Sequence, residues 1–101
     1  MKPITQINVI SIKPGKADEF FEIQQSYIAS VTPPPGLIGI RMYKSTDGNS
    51  AVLVTQYESA KALEEVQQRT ALREHIEKLQ PLVELSTRTL YEELYAAGNI
   101  K

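Results

Sequence analysis

His75 is the one histidine in 101 residues, and it stands in ALREHIEKL, two positions after Arg73. An imidazole titrates near neutral pH, so it can accept a proton from a substrate or hold one in place. A guanidinium keeps its charge and can stabilise a phenolate or enolate-like anion as that proton leaves. Tyr57, near the end of the run SAVLVTQYE, can stack on or hydrogen-bond an aromatic ligand. Asn8 sits in ITQINVISI, a polar amide among isoleucines and a poor residue for a strand. Its amide needs partners that a ligand or water can supply.

Each of these residues also has a plain structural reading. His75 shares helical spacing with Leu72 and Leu79, so it can be a partly buried imidazole satisfied by a carbonyl or carboxylate. Arg73 can make a weak surface bridge to Glu77 one turn on. Tyr57 can be a core residue with its hydroxyl at the solvent. The acidic residues fall mostly on solvated helix positions, and no carboxylate pair stands out.

Composition narrows the chemistry. The chain has no cysteine, which removes disulfides, thiolate nucleophiles and Cys-based metal sites. A single histidine argues against a protein-only transition-metal site. Net charge is −1 and the basic residues are spread along the chain, so nothing marks a nucleic-acid partner. No run is long enough to span a bilayer, and MKPITQINVI does not read as a secretory signal. Together these features predict a cytoplasmic protein. The length suits one domain over 1–101, with about 96–101 as a flexible tail.

The elements that must position these residues follow from periodicity and turn signals. Residues 4–12 read as a strand, with Ile4, Gln6, Asn8, Ile10 and Ile12 on one face and Thr5, Ile7, Val9 and Ser11 on the other. Lys13-Pro14-Gly15 is a turn. A helix is predicted over about 16–31, stopped by three consecutive prolines, Pro33 to Pro35. Residues 37–44 and 50–58 read as strands joined by a loop containing Asp47-Gly48. Ala51, Leu53, Thr55 and Tyr57 share a face, and Arg41 and Tyr43 line that same inner face if the second strand keeps its register. Ser59 can cap a helix to about Gln68, and Thr70 a second piece to about Leu79. Residues 84–95 read as a last strand, with a helix over LYEELYAA as the competing reading. The order β-α-β-β-α-β predicts a ferredoxin-like α+β fold, an antiparallel sheet with its helices on one face. The other face, with Ile7, Val9, Val52 and Val54, would be bare, which predicts a two-fold homodimer through the sheet.

The stretch PPGLIGIRMYKSTDGNSAVLVTQYESAKALEEV, followed by ALREHIEKLQPLVE, resembles the antibiotic biosynthesis monooxygenase superfamily. The resemblance rests on the PG before the second strand, the STDG hairpin, the QYES junction and the LREH helix. It implies a dimeric α+β barrel with a pocket between helices and sheet. Some relatives oxidise phenolic polyketides with O₂ and no cofactor, and others degrade haem or act on small quinols. In the polyketide-oxidising members a QWES tryptophan falls at Tyr57, an asparagine at Leu53 and a tyrosine at Leu63, while the LRE arginine is matched by Arg73. In the haem-degrading members an asparagine matches Asn8, a pocket tryptophan aligns with Val66, and the proximal histidine aligns with Ile76, beside His75.

The expectation is a cofactor-independent monooxygenase acting on a small aromatic, phenolic or quinol-type substrate. Arg73, His75 and Tyr57 would be catalytic, and Asn8, Arg41, Tyr43, Leu53, Leu63 and Val66 would line the pocket, with no metal. A non-catalytic dimeric binding or accessory module is the alternative, and haem binding or degradation a third.

Overall fold

A computed structural model describes residues 3–98. The strands are β1 (Ile4–Ile12), β2 (Leu37–Lys44), β3 (Ser50–Tyr57) and β4 (Val83–Tyr91). The helices are α1 (Ala17–Ser30), α2 (Ala60–Gln67) and α3 (Thr70–Leu79), followed by a 3-10 turn at Gln80–Leu82. The sheet runs β2-β3-β1-β4 with every pairing antiparallel. This is the ferredoxin-like α+β arrangement that the element order predicts.

Local chemistry sets the element ends. Ser59 accepts a hydrogen bond from the Ala62 backbone N–H at 3.2 Å and so caps α2. Thr70 does not cap α3. Arg69 holds that position in extended conformation without a side-chain cap, and Thr70 is the first helical residue. In the β2–β3 hairpin, Asp47 Oδ1 accepts from Ser45 Oγ at 2.6 Å and from the Asn49 N–H at 3.0 Å. Those two bonds hold the exposed Asp47 carboxyl below its ordinary range.

β4 ends at Tyr91, short of the expected 95, and no helix replaces it. Among the described residues its only partner is β1, whose ladder with it runs out at Thr5 opposite Tyr91. Pro3, just before β1, has no N–H with which to extend it. The tail expected from about residue 96 falls partly on 99–101, which lie outside the described residues.

All helices pack on one side of the sheet. The four ranks across that side read Leu37–Tyr57–Ile4, then Ile40–Thr55–Gln6–Leu90, then Met42–Leu53–Asn8–Arg88, then Lys44–Ala51–Ile10–Ser86. The core divides into two clusters at opposite ends of this grid. One gathers Ile10, Ile12, Phe20, Ala51, Leu79 and Leu82. The other gathers Tyr57, Leu63 and Val66, with Ile4, Leu37, Ala62 and Leu72 against them.

Arg41 and Tyr43 are on the opposite side of the sheet from the helices, against expectation. β2 pairs Leu37 with Tyr57 but Gly39 with Gln56, so Ile38 is an extra residue. A one-residue bulge in a period-two strand moves every later side chain to the other face. Arg41 therefore lies beside Val54, and Tyr43 beside Val52. That face carries Val9, Tyr43 and Leu85 at 52%, 51% and 64% exposure.

Candidate active site

Between the two hydrophobic clusters the inner face turns polar. Gln6, Asn8 and Thr55 occupy the middle ranks with Leu53. Thr55 is buried, and Asn8 Oδ1 is buried with no hydrogen-bond partner. A buried carbonyl oxygen left unpaired is destabilising by roughly 1–3 kcal/mol, so its presence calls for a reason.

The helix layer turns polar in the same interval. Leu72 and Leu79 of α3 join opposite clusters, and His75 stands between them. On α1, Phe20 belongs to the first cluster, and Gln24 and Tyr27 follow it one and two turns on. His75 Nε2 lies 2.7 Å from Gln24 Oε1. With the Gln24 amide oriented so that its oxygen faces the ring, Nε2 carries the proton and donates it, and Nδ1 keeps the lone pair. The Tyr27 ring stacks on the imidazole, centroids 3.8 Å apart and planes at 11°. His75 also lines an open groove between α1 and α3, with Glu74, Lys78 and Arg69 around it.

This packing sets the protonation states. Burial pushes the His75 imidazole below its ordinary pKa, and the Lys78 ammonium adds to the effect. His75 is therefore neutral at pH 7. Burial pushes the Tyr57 phenol up, and the nearby Tyr27 phenol adds to that. Tyr27 is raised by its own burial, partly offset by the positive charge of Arg69.

A pH dependence of stability follows. The folded state holds His75 neutral more firmly than the unfolded chain, whose histidine titrates near 6.5. Below about pH 6.5 the unfolded chain takes up the proton first, so stability falls with falling pH until the folded-state value is passed. Urea melts at pH 7.5, 6.5 and 5.5 should show this decline. A His75→Phe variant should lose that component, and equal slopes in both proteins would contradict the assignment.

The expected site residues are thus only partly brought together. Asn8 and Leu53 are direct cross-strand partners. Tyr57, Leu63 and Val66 meet in one cluster, where Leu63 and Val66 are buried core. Arg73 is exposed, and two positions along a helix turn it by about 200° from His75. Ile76 is 39% exposed on α3. Arg41 and Tyr43 are on the far face.

Gln24, Tyr27 and Arg88 enter the site without having been singled out from the sequence. Gln24 had a signal, since it falls at i+4 from Phe20 and i−3 from Tyr27 on an otherwise apolar helix stripe. Arg88 had none, because only the β1–β4 register places it opposite Asn8.

Solved structures share this architecture across nearly the whole chain. SnoaB from Streptomyces nogalater, described as a cofactor-independent oxygenase, is 18% identical with a TM-score of 0.83, covering 95% of this chain and 97% of that one. PA3566 from Pseudomonas aeruginosa is 18% identical with a TM-score of 0.82, over 94% of this chain and 97% of that one. Rv0793 from Mycobacterium tuberculosis is 20% identical with a TM-score of 0.82, over 96% of this chain and 100% of that one. At such identities the likeness is one of fold. A comparison with curated proteins found no match. Among the described residues no helix is long and apolar enough to cross a membrane. The family model for antibiotic biosynthesis monooxygenases matches residues 3–78, about three quarters of the sequence, and on that match the chain belongs to the antibiotic biosynthesis monooxygenase family.

Proposed function

We propose that the protein is a cofactor-independent monooxygenase that oxidises a small phenolic or quinol-type aromatic with O₂ and works as a homodimer. The observation that carries this reading is the polar interval between the two clusters, with an unpartnered amide oxygen at Asn8. One substrate hydroxyl donates to that oxygen and keeps its proton, and the ring lies along Leu53 towards Tyr57. His75, neutral and with a basic Nδ1, takes the proton of a second ring hydroxyl. An electron-rich phenolate then passes an electron to O₂, and the two radicals recombine at a ring carbon. In the net oxidation of a phenol to a quinone, one oxygen atom becomes the new carbonyl. The other leaves as water with the hydroxyl hydrogen and the displaced ring hydrogen. The substrate supplies all four electrons, so the balance needs no external reductant. SnoaB, a cofactor-independent oxygenase of the same fold, supports this reading.

Oxygen uptake with a panel of hydroquinones and phenols tests the reading, with metal chelated and autoxidation subtracted. Uptake above the blank that scales with enzyme is expected. A panel with none would remove the oxygenase assignment. The burial of Leu63 and Val66 at 5% and 8% exposure favours a second reading, a dimeric binding module without turnover. Saturable phenol binding with no uptake would select it.

The dimer has its own test. Tyr43, Val52 and Val9 are cross-strand neighbours on the face that no helix covers, with Leu85 diagonal to Val9, and a second copy presents the same apolar patch. Val9→Lys places a charge near its centre. Light scattering should report a dimer for the parent protein and a monomer for the variant at micromolar concentration. A monomeric parent would refute the interface.

A further inference from the structure

Arg88 is on β4, at the edge of the sheet, and pairs directly with Asn8. Alternation puts it on the helix side with Ser86 and Leu90. Directly paired side chains in an antiparallel ladder stand about 5 Å apart at Cβ. A guanidinium with five donors therefore sits one strand from an amide oxygen that lacks a partner. The two do not satisfy each other, although the register brings them side by side.

Their surroundings differ in a way that defines a lip. The helices bury Ile10, Ala51 and Thr55 on β1 and β3, whereas Ser86, Arg88 and Leu90 on β4 are exposed. The helix layer thus stops short of the fourth strand. Arg88 thus stands at the rim of the helix-covered face, with Asn8 on the next strand and Leu53 beyond it on the same rank.

We infer that Asn8 and Arg88 form a two-point recognition site for an aromatic ring bearing a hydroxyl beside an anionic oxygen, as in an ortho-hydroxybenzoate or a catecholate. The hydroxyl donates to Asn8 Oδ1. The anionic oxygen accepts from the Arg88 guanidinium, a charge-assisted bond of the stronger kind. The ring passes inward along Leu53 into the polar interval between the two clusters. This deepens the oxygenase reading and rests on it for the claim that this polar interval receives the substrate.

Equilibrium titration without oxygen separates the two claims, since binding is read apart from turnover. The probes are salicylate and catechol, with benzoate and phenol as their single-oxygen counterparts. Salicylate is expected to bind the parent protein at least tenfold more tightly than either benzoate or phenol. Arg88→Gln should bring salicylate down to the level of phenol and leave phenol itself within twofold. Asn8→Leu should bring salicylate down to the level of benzoate. Arg88→Lys, which keeps the charge, should recover part of the loss, and melting curves within a few degrees of the parent would exclude unfolding as the cause. A salicylate preference paired with catechol at the level of phenol identifies a carboxylate as the anion, and tight catechol identifies a phenolate. Equal affinity for rings with one and two oxygens, or a preference unchanged in Arg88→Gln, would overturn the site. Oxygen uptake on simple phenols alongside either result would leave the oxygenase reading standing while this site falls. The ortho preference without any uptake would do the reverse.

Discussion

His75→Ala is expected to lower the rate of phenol oxidation by about 10²–10⁴-fold, the usual contribution of a positioned general base. The expectation rests on three observed features. The imidazole is held neutral by burial, its Nε2–H is committed to Gln24, and its ring is fixed by Tyr27. A base already neutral at pH 7, with one nitrogen tied and the other basic, needs no reorganisation before it accepts a proton. Substrate affinity should change far less than kcat, since Asn8 and its neighbours on the sheet remain. Removal of a stacked, hydrogen-bonded side chain also weakens the α1–α3 contact, so a second variant separates chemistry from stability. Gln24→Leu leaves the imidazole in place and frees its tautomer. It should shift the acidic limb of the kcat–pH profile while kcat at the optimum falls by a smaller factor. A profile identical to that of the parent would show that Gln24 has no part in positioning the base, and full activity in His75→Ala would remove the base itself.

Gly36→Ala should be the most damaging single methyl addition among the turns. Gly36 has φ +86° and a Cβ there would lie 2.6 Å from the Ala62 Cβ. The Leu37 N–H donates to the Pro34 carbonyl at 3.3 Å, so Pro34 to Leu37 form a turn with proline and then a positive-φ glycine at its centre. The Gly36 carbonyl meanwhile accepts from the Glu58 N–H at 2.8 Å, so the turn cannot move away from α2 without losing that bond. Left-handed backbone strain costs about 1–2 kcal/mol for an L-residue. Overpacking against Ala62 adds about 1–3 kcal/mol, for an expected loss of about 2–5 kcal/mol in urea denaturation. Gly15→Ala is the matched comparison. Its φ is +77° but nothing lies within 4 Å of the added Cβ, so only the backbone part should appear. Equal losses at both positions would show that the approach to Ala62 relaxes freely.

Much of this fold was legible because local signals and long-range packing agree. Alternation marked β1 and β3, three prolines ended α1, and Ser59 capped α2 as its side chain permits. Two of the misreadings share one cause, which is that register is a tertiary property. The isolated Gly39 in LIGIRMYK is a bulge signal, but only the pairing with β3 shows that Ile38 is the extra residue and that Arg41 and Tyr43 leave the helix side. β4 likewise ends where β1 stops offering partners, and Glu92 and Glu93, poor strand residues, follow it. At the site, Asn8 was detectable as a polar residue out of place among isoleucines. Arg88 was not, since an arginine on an exposed strand looks the same whether it faces solvent or a ligand. Arg73 drew notice through its motif, but helix geometry turns it away from the histidine two residues on.

The division of the core into two clusters bears on how such a scaffold diversifies. Most of the cohesion lies at the ends of the sheet, in Ile10, Phe20 and Leu79 on one side and Tyr57, Leu63 and Val66 on the other. Of the residues between them on the sheet, Asn8 works against folding, since its buried amide oxygen has no partner. Mutations that re-tailor recognition can therefore accumulate in the middle without crossing the threshold below which the chain no longer folds. The backbone recurs with TM-scores of 0.82 and 0.83 in solved structures only 18% identical, so the fold itself accommodates wide change in sequence.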